Sequence, residues 1–397
     1  MARFLGPELF GTVMYWLSVA TIVSMVANFG LTPYLLKEIG ASPEKSHHMM
    51  NRVFSVKLLL SFFIILISFG ATFYIKNASV FFLLLLALLF DSFTEFLNVG
   101  FRATNRFASE TKIATVTALI NFFSMLILLC ITPTAEMAAV AFALSRGISM
   151  ALTLKAQKSY FQGLRPASLR ETLACIKQTV SYAMDYCLQS LFGQIDSVIL
   201  NHLAGAASVG VYQAGMRIFM GGAQVAPVLA NVFLPEASAL ATSSDNASFR
   251  KKTKLIQAVF ITYGAIFGLV MALANNVIVD IVFGKQFNGL KLLLPWLGLL
   301  FFIRFFASAW GMILTSAGKQ NARTVINGFQ WLVCLSCVPF MVSHFGVIGW
   351  IVSLSIAQLI LGVGYMCKSL SVIKPTRAMM SVTVISLLVF IPFLKIS

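Results

Sequence analysis

The chain has 397 residues, 59% hydrophobic and only 11% charged, with 29 Lys and Arg against 13 Asp and Glu for a net charge of +16. Such a composition excludes an ordinary soluble domain and points to a chain built for lipid. A basic excess can serve nucleic acid, but here the bases cluster in short loops beside apolar stretches, and no nucleic-acid partner is read from them.

A bilayer core of about 30 Å needs about 20 apolar residues per helix. Twelve stretches meet that need: 11–35, 53–75, 79–101, 113–133, 135–154, 178–203, 207–240, 255–283, 292–316, 325–344, 346–367 and 378–395. They are lettered A to L. The reading is an all-α polytopic membrane protein of about 12 helices. Met1–Gly11, with Gly6, Pro7 and Glu8, reads as a loop. Alternate connections gather 21 of the 29 basic residues on one side, among them Lys37, Arg52 and Lys57 around the A–B turn and Arg250–Lys254 after G. The positive-inside rule makes that side cytoplasmic.

Intramembrane polar residues are costly and face a wet interior or a partner. Here they fall into stripes at helical spacing. Span A carries Thr21, Ser24, Asn28 and Thr32. Span C carries Asp91, Glu95, Asn98 and Arg102. Span F carries Asp185, Gln189 and Asp196, span G carries Gln213, Arg217, Gln224 and Asn231, and span I carries Arg304, Ser308 and Thr315. One wet stripe on each of five helices predicts a hydrated central cavity. Asp91 and Glu95 are read either as a static network neutralised by Arg102 or as a cation-coupling site. Asp196 and Arg217 either pair and hold F to G or serve a ligand. Asp185 either snorkels to the cytoplasmic surface or lines the cavity. Arg146, in span E, either pairs with Glu95 or lines the cavity. Arg304 stands apart, central in Phe301–Phe306 with no nearby acid in sequence. It is read as an anion site, because a guanidinium can engage a phosphate with two parallel donors.

The segment 156–177 is long and basic. Ser168 to Glu171 has the spacing of a capping box, and Leu169, Leu173 and Ile176 recur at helical spacing. It reads as an amphipathic linker helix at the cytoplasmic interface. It separates an N-terminal lobe, 1–155, from a C-terminal lobe, 178–367, with an extra terminal helix at 378–397. Cys334 and Cys337 have CxxC spacing but lie in an apolar helix, and packing is the better reading. No metal or cofactor motif occurs.

A weak repeat joins the lobes. Gly6, Gly11, Thr12 and Val13 match Gly205, Gly210, Val211 and Tyr212 at a constant offset. The repeat is parallel. Span F precedes Gly205, so the repeat also predicts a helix ahead of Gly6, which leaves the first lobe with five helices.

The segment Ala2-Arg3-Phe4-Leu5-Gly6-Pro7-Glu8-Leu9-Phe10-Gly11 resembles a motif of the Wzx-type polysaccharide flippases, a branch of the multidrug/oligosaccharidyl-lipid/polysaccharide exporter superfamily. Asp196–Leu200 with Gly205 and Val209–Ile218, then Leu234–Ser238, Ile281–Phe287 and Leu314–Lys319, resemble further motifs of that family in order. The resemblance covers most of residues 2–360. It implies two pseudo-symmetric six-helix bundles around a central cavity in the bacterial cytoplasmic (inner) membrane. The first family helix would be missing here. It also implies transport of an undecaprenyl-pyrophosphate-linked oligosaccharide by alternating access, for O-antigen or capsule synthesis. Expected partners are that substrate, membrane lipid, a polysaccharide polymerase and a chain-length regulator. Substrate-binding candidates are Arg304, Arg217, Arg146, Gln213, Gln224 and Asn28. Two rivals are weighed. A cation-coupled drug exporter of the same superfamily would want acidic rather than basic charge at the membrane centre. A membrane polymerase or glycosyltransferase would want a catalytic constellation and a large external loop, and neither is found.

Overall fold

The computed structural model describes residues 1–41, 46–74, 77–163, 165–242 and 245–369. Span L therefore lies outside the described residues. The elements are α1 (Ala2–Asn28), α2 (Leu31–Ala41), α3 (Ser46–Ala71), α4 (Ala78–Ala103), α5 (Phe107–Ile131), α6 (Ala135–Ala156), α7 (Leu169–Ala223), α8 (Val225–Thr242), α9 (Asn246–Leu273), α10 (Asn275–Ile278), α11 (Asn288–Ser316) and α12 (Gln320–Ser369). The all-α expectation holds. Among the described residues nine stretches are long and apolar enough to cross a membrane. Two of them, Gly193–Thr242 and Gln320–Ser369, are 50 residues long; the second carries spans J and K, and the first carries span G with the end of span F. Large apolar side chains such as Phe62, Ile67, Phe122 and Ile127 are exposed, as a lipid-facing surface requires.

Glycines explain the doubled helices. Gly346 leaves the helical region at φ 54°, ψ −133°, and α12 folds back on itself there. The Tyr365 hydroxyl donates to Asn327 Oδ1 at 2.5 Å, and Gln330 Nε2 donates to Gln358 Oε1 at 2.9 Å. The hairpin is so tight that a Cβ on Gly349 would stand 1.9 Å from the Met341 carbonyl oxygen. Gly6 (φ 69°, ψ 175°) and Gly205 (φ 79°, ψ 172°) adopt one backbone conformation, which is closed to other residues. The repeat read from sequence is thus visible in the dihedral angles.

The N-terminal segment departs from the loop expectation. Residues from Ala2 are helical, Gly6 breaks the helix, and Pro7 restarts it at the first-turn position where a missing N–H costs nothing. Span A is also not one helix. Phe29 and Gly30 both have positive φ, 41° and 61°, and α2 starts anew at Leu31. The linker helix runs unbroken into span F as α7, because nothing between Leu169 and Gly193 interrupts helical geometry. The Ser168–Glu171 capping box does form, with Glu171 accepting from the Ser168 N–H at 3.0 Å and from its hydroxyl at 2.7 Å.

Packing divides the chain into two units, Met1–Asn201 and His202–Ser397. The division falls after span F rather than in the linker, so F goes with the first unit. The reason is local. Gln178 of α7 accepts from the Tyr34 hydroxyl at 3.0 Å and from Arg52 Nη2 at 3.1 Å. The turn at Gly30 is seated so closely that a Cβ there would lie 2.5 Å from the Tyr182 carbonyl. Leu35, Met50, Val56, Phe96 and Phe161 build the core at that end of the first unit. In the second unit α11 is the central helix. Phe302, Phe306, Trp310 and Ile313 from α11 pack with Leu361 and Tyr365 from α12.

Candidate functional site

In the second unit the site is built around Arg304. Residues 301–303 and 305–307 of α11 are all buried, while Arg304 between them is exposed. Its guanidinium lies 5.7 Å from the centroid of the Phe219 ring, a cation–π placement. Phe219 is fixed in turn by an edge-on contact with Phe301 at 5.3 Å, and Phe301 stacks on Phe305 at 4.7 Å. Residues 202–397 contain three carboxylates, Glu236, Asp245 and Asp280. Each is engaged elsewhere. Lys252 pairs with Glu236, Lys291 pairs with Asp280 at 2.7 Å, and Asp245 caps α9 by accepting from the Ala247 and Ser248 N–H groups. No acid of its own unit is left for Arg304. A positive charge set beside an aromatic ring, with no carboxylate of its own unit to pair with, is chemically suited to an anion. Arg217 and Gln224 are also exposed, and Gln213 is half-buried. Gln224 sits at the break between α7 and α8.

In the first unit the expected stripes separate. Arg146 pairs with Asp91 through Nη1 at 2.7 Å, not with Glu95, and lies 5.1 Å from the Phe142 ring. Arg102 pairs with Glu110 at 2.8 Å rather than neutralising Asp91 or Glu95. The sequence suggested neither partner, because both pairings reach a neighbouring helix. Asp91, Asn98, Glu110, Asn121, Ser145 and Arg146 line a polar cavity of about 250 Å³ between α4, α5 and α6. In span A, the Thr21 and Ser24 hydroxyls donate back to Leu17 and Thr21 carbonyls of their own helix.

Asn28 is a hub rather than a free cavity group. Its Oδ1 accepts from the Ser92 hydroxyl at 2.5 Å and from Lys57 Nζ at 3.4 Å, and its Nδ2 donates to the Tyr186 hydroxyl at 3.0 Å. Lys57 is 1% exposed, although the charge pattern assigned it to the cytoplasmic flank. The signal was legible, since Lys57 lies inside the expected span 53–75. Glu95 is half-buried. Asp196 Oδ1 accepts the Ser197 N–H at 2.6 Å. Asp185 lies on α7, and its side chain is outside the described residues. Among the described residues no cluster of His, Cys, Asp and Glu could hold a metal ion.

Comparisons with known proteins agree on fold and family. The family model described as "Polysaccharide biosynthesis protein" matches residues 1–240. The capsular polysaccharide biosynthesis protein CapF of Staphylococcus aureus is 23% identical over 190 residues, which is 47% of this chain and 47% of that protein. The chain thus matches about half the length of this curated relative. Among solved structures, the lipid II flippase MurJ in an inward closed conformation superposes with a TM-score of 0.70 at 12% identity, over 98% of this chain and 87% of that one. An inward-facing multidrug resistance MATE family transporter of the MOP superfamily gives a TM-score of 0.68 at 15% identity, over 96% and 94%. The fold is therefore that of these transporters.

Proposed function

The chain belongs to the polysaccharide biosynthesis protein family, and on that premise we propose that it is a flippase for an undecaprenyl-pyrophosphate-linked oligosaccharide. It takes that substrate from the inner to the outer leaflet of the bacterial cytoplasmic membrane by alternating access, for O-antigen or capsule assembly. A polymerase and a chain-length regulator would then act on the product. The observation that carries the reading is Arg304, exposed in mid-helix beside the Phe219 ring with no acid of its own unit to neutralise it. A diphosphate crossing a low-dielectric layer bare would cost many kcal/mol. A fixed arginine offsets part of that cost with two directed donors. Arg217 and Arg146 are further candidates at other depths. Arg146 would have to share its charge with Asp91. Gln213 and Gln224 would contribute hydrogen bonds to sugar or phosphate. A cationic drug is the poorer cargo, because the second unit offers it no free carboxylate.

The test is complementation of a flippase-deficient strain at native expression. Arg304→Ala should insert normally and export no surface polysaccharide. Arg304→Lys, which keeps the charge but loses the fork, should restore export in part. Normal polysaccharide from the Arg304→Ala strain overturns the role given to this residue.

A further inference from the structure

In the second unit, away from Arg304, like charge gathers at the start of α9. Arg250, Lys251 and Lys254 are all exposed, and with Ala247 they line an open pocket of about 480 Å³. The four stand at i, i+3, i+4 and i+7, so one face of the first two turns carries all three charges. Lys252 leaves the helix elsewhere, about 140° round from Ala247 at about 100° per residue. There it pairs with Glu236 and lies 5.2 Å from the Phe233 ring. Among the described residues none of the other three forms an ion pair with a carboxylate. The nearest acid along the chain, Asp245, is the N-cap and accepts from the Ala247 and Ser248 N–H groups at 3.2 and 3.0 Å.

Depth decides what these charges meet. The rest of α9, Leu255–Leu273, contains no charged residue. At 1.5 Å per residue it is about 28 Å long, which matches a hydrocarbon core of about 30 Å. Lys254 therefore stands at one boundary of the core. Lys251 and Arg250 lie about 4–6 Å further out, within the headgroup layer. Continuing along the same side of the helix come Leu255, Ala258, Thr262 and Ile266, all exposed. That side thus passes from three cations at headgroup depth to a bare strip in the hydrocarbon. The opposite side, with Thr253, Ile256 and Phe260, is buried in the second unit.

We propose that this stripe is a binding site for an anionic phospholipid of the leaflet it faces, which the basic loops predict to be the cytoplasmic one. Arg250 engages the phosphate with its planar fork, and Lys251 and Lys254 flank it as point charges. The acyl chains lie along Leu255 to Ile266. A phospholipid suits the face better than a lipid-linked sugar diphosphate does. Besides the three bases the pocket offers Ala247 alone, with no aromatic ring and no side-chain acceptor for sugar hydroxyls. The site does not depend on the cargo assigned above. It acts on the unit through Lys252, which ties the same turns of α9 to Glu236 of α8. A lipid held by the neighbouring bases fixes the depth of α9, and with it the corner between α8 and α9. Anionic lipid should therefore stabilise the chain.

The experiment follows thermal unfolding of the full chain in a neutral detergent, titrated with phosphatidylglycerol or with phosphatidylcholine of the same acyl chains. Phosphatidylglycerol should raise the midpoint, and phosphatidylcholine should not. Each base near an anionic surface is worth about fivefold in affinity. Arg250→Gln, Lys251→Gln and Lys254→Gln should each raise the half-saturating phosphatidylglycerol by about that factor, and the triple variant about 100-fold. A control triple, Lys155→Gln with Lys158→Gln and Arg170→Gln, removes the same charge from the first unit and should leave the titration unchanged. Equal midpoint rises with the two lipids overturn the site, as does a triple variant that titrates like the wild type. An equal loss in the control triple makes the effect one of net charge and overturns it too. Two further probes separate the sources of phosphate. Inorganic phosphate that matches phosphatidylglycerol reduces the stripe to a site for free anions. A polyprenyl diphosphate that displaces phosphatidylglycerol at lower concentration gives the face to the cargo. Either result overturns the proposal. Should the triple variant fail to insert, the three single variants decide.

Discussion

At the scale of single residues the charges divide by unit. In the first unit bases and acids meet: Arg146 with Asp91, Arg102 with Glu110. The Arg146–Asp91 pair is only partly covered, with side chains 35% and 44% exposed. Its worth is therefore about 1 kcal/mol, well below that of a fully buried pair. Asp91→Asn and Arg146→Gln should each lower the amount of inserted protein modestly, and the double substitution should lower it less than the two losses added. Strict additivity on quantitative blots would show that the pair is not coupled. In the second unit the acids are used up at the ends of helices, and Arg304 lies beside the Phe219 ring. The sequence singled out Arg304 directly, because a lone arginine in Phe301–Phe306 has no nearby acid in sequence. It also picked out Asp91, Glu95 and Arg146 as charged groups inside expected spans. It did not disclose who pairs with whom, since helical spacing orders residues along one helix and says nothing about the neighbour's rotation. The burial of Lys57 was missed for a related reason. Charge statistics count a lysine near a span end as cytoplasmic, while its burial depends on Asn28 and Ser92 from other helices.

At the scale of elements the glycines carry the most information. Gly205 has open space around it, so its requirement is the backbone conformation alone. Gly205→Ala should cost about 1–3 kcal/mol from the dihedral strain. Gly30→Ala should do worse, since it adds a clash with the Tyr182 carbonyl to a positive φ. Both effects are read as the fraction of protein that elutes monodisperse in detergent. A Gly30→Ala protein as stable as the wild type would mean that α7 is not seated on that turn. The apolar spans and the glycine repeat were readable because length, hydropathy and a constant offset are one-dimensional properties. The break at Phe29–Gly30 and the fusion of the linker into α7 were not. The first depends on tertiary seating against Tyr182. The second depends on the absence of a helix breaker, which a reading guided by amphipathic periodicity overlooks.

At the scale of the whole molecule, the fold is that of membrane transporters, and the family is that of polysaccharide biosynthesis proteins. The basic loops predict an orientation, with the loop after span G on the cytoplasmic side. A cysteine placed at Lys251 should be shielded from an impermeant thiol reagent in intact cells, and one at Gln286 should label. The reverse pattern would invert the topology and the direction of transport with it. The measurement that bears most directly on the central claim is leaflet exchange by the purified chain. Vesicles carrying a fluorescent lipid-linked oligosaccharide are treated with an impermeant quencher. With wild-type protein the quenched share should rise from the outer-leaflet share to nearly all of the probe, and with Arg304→Ala it should stay at the outer-leaflet share. A wild-type chain that leaves the inner-leaflet probe protected contradicts the account.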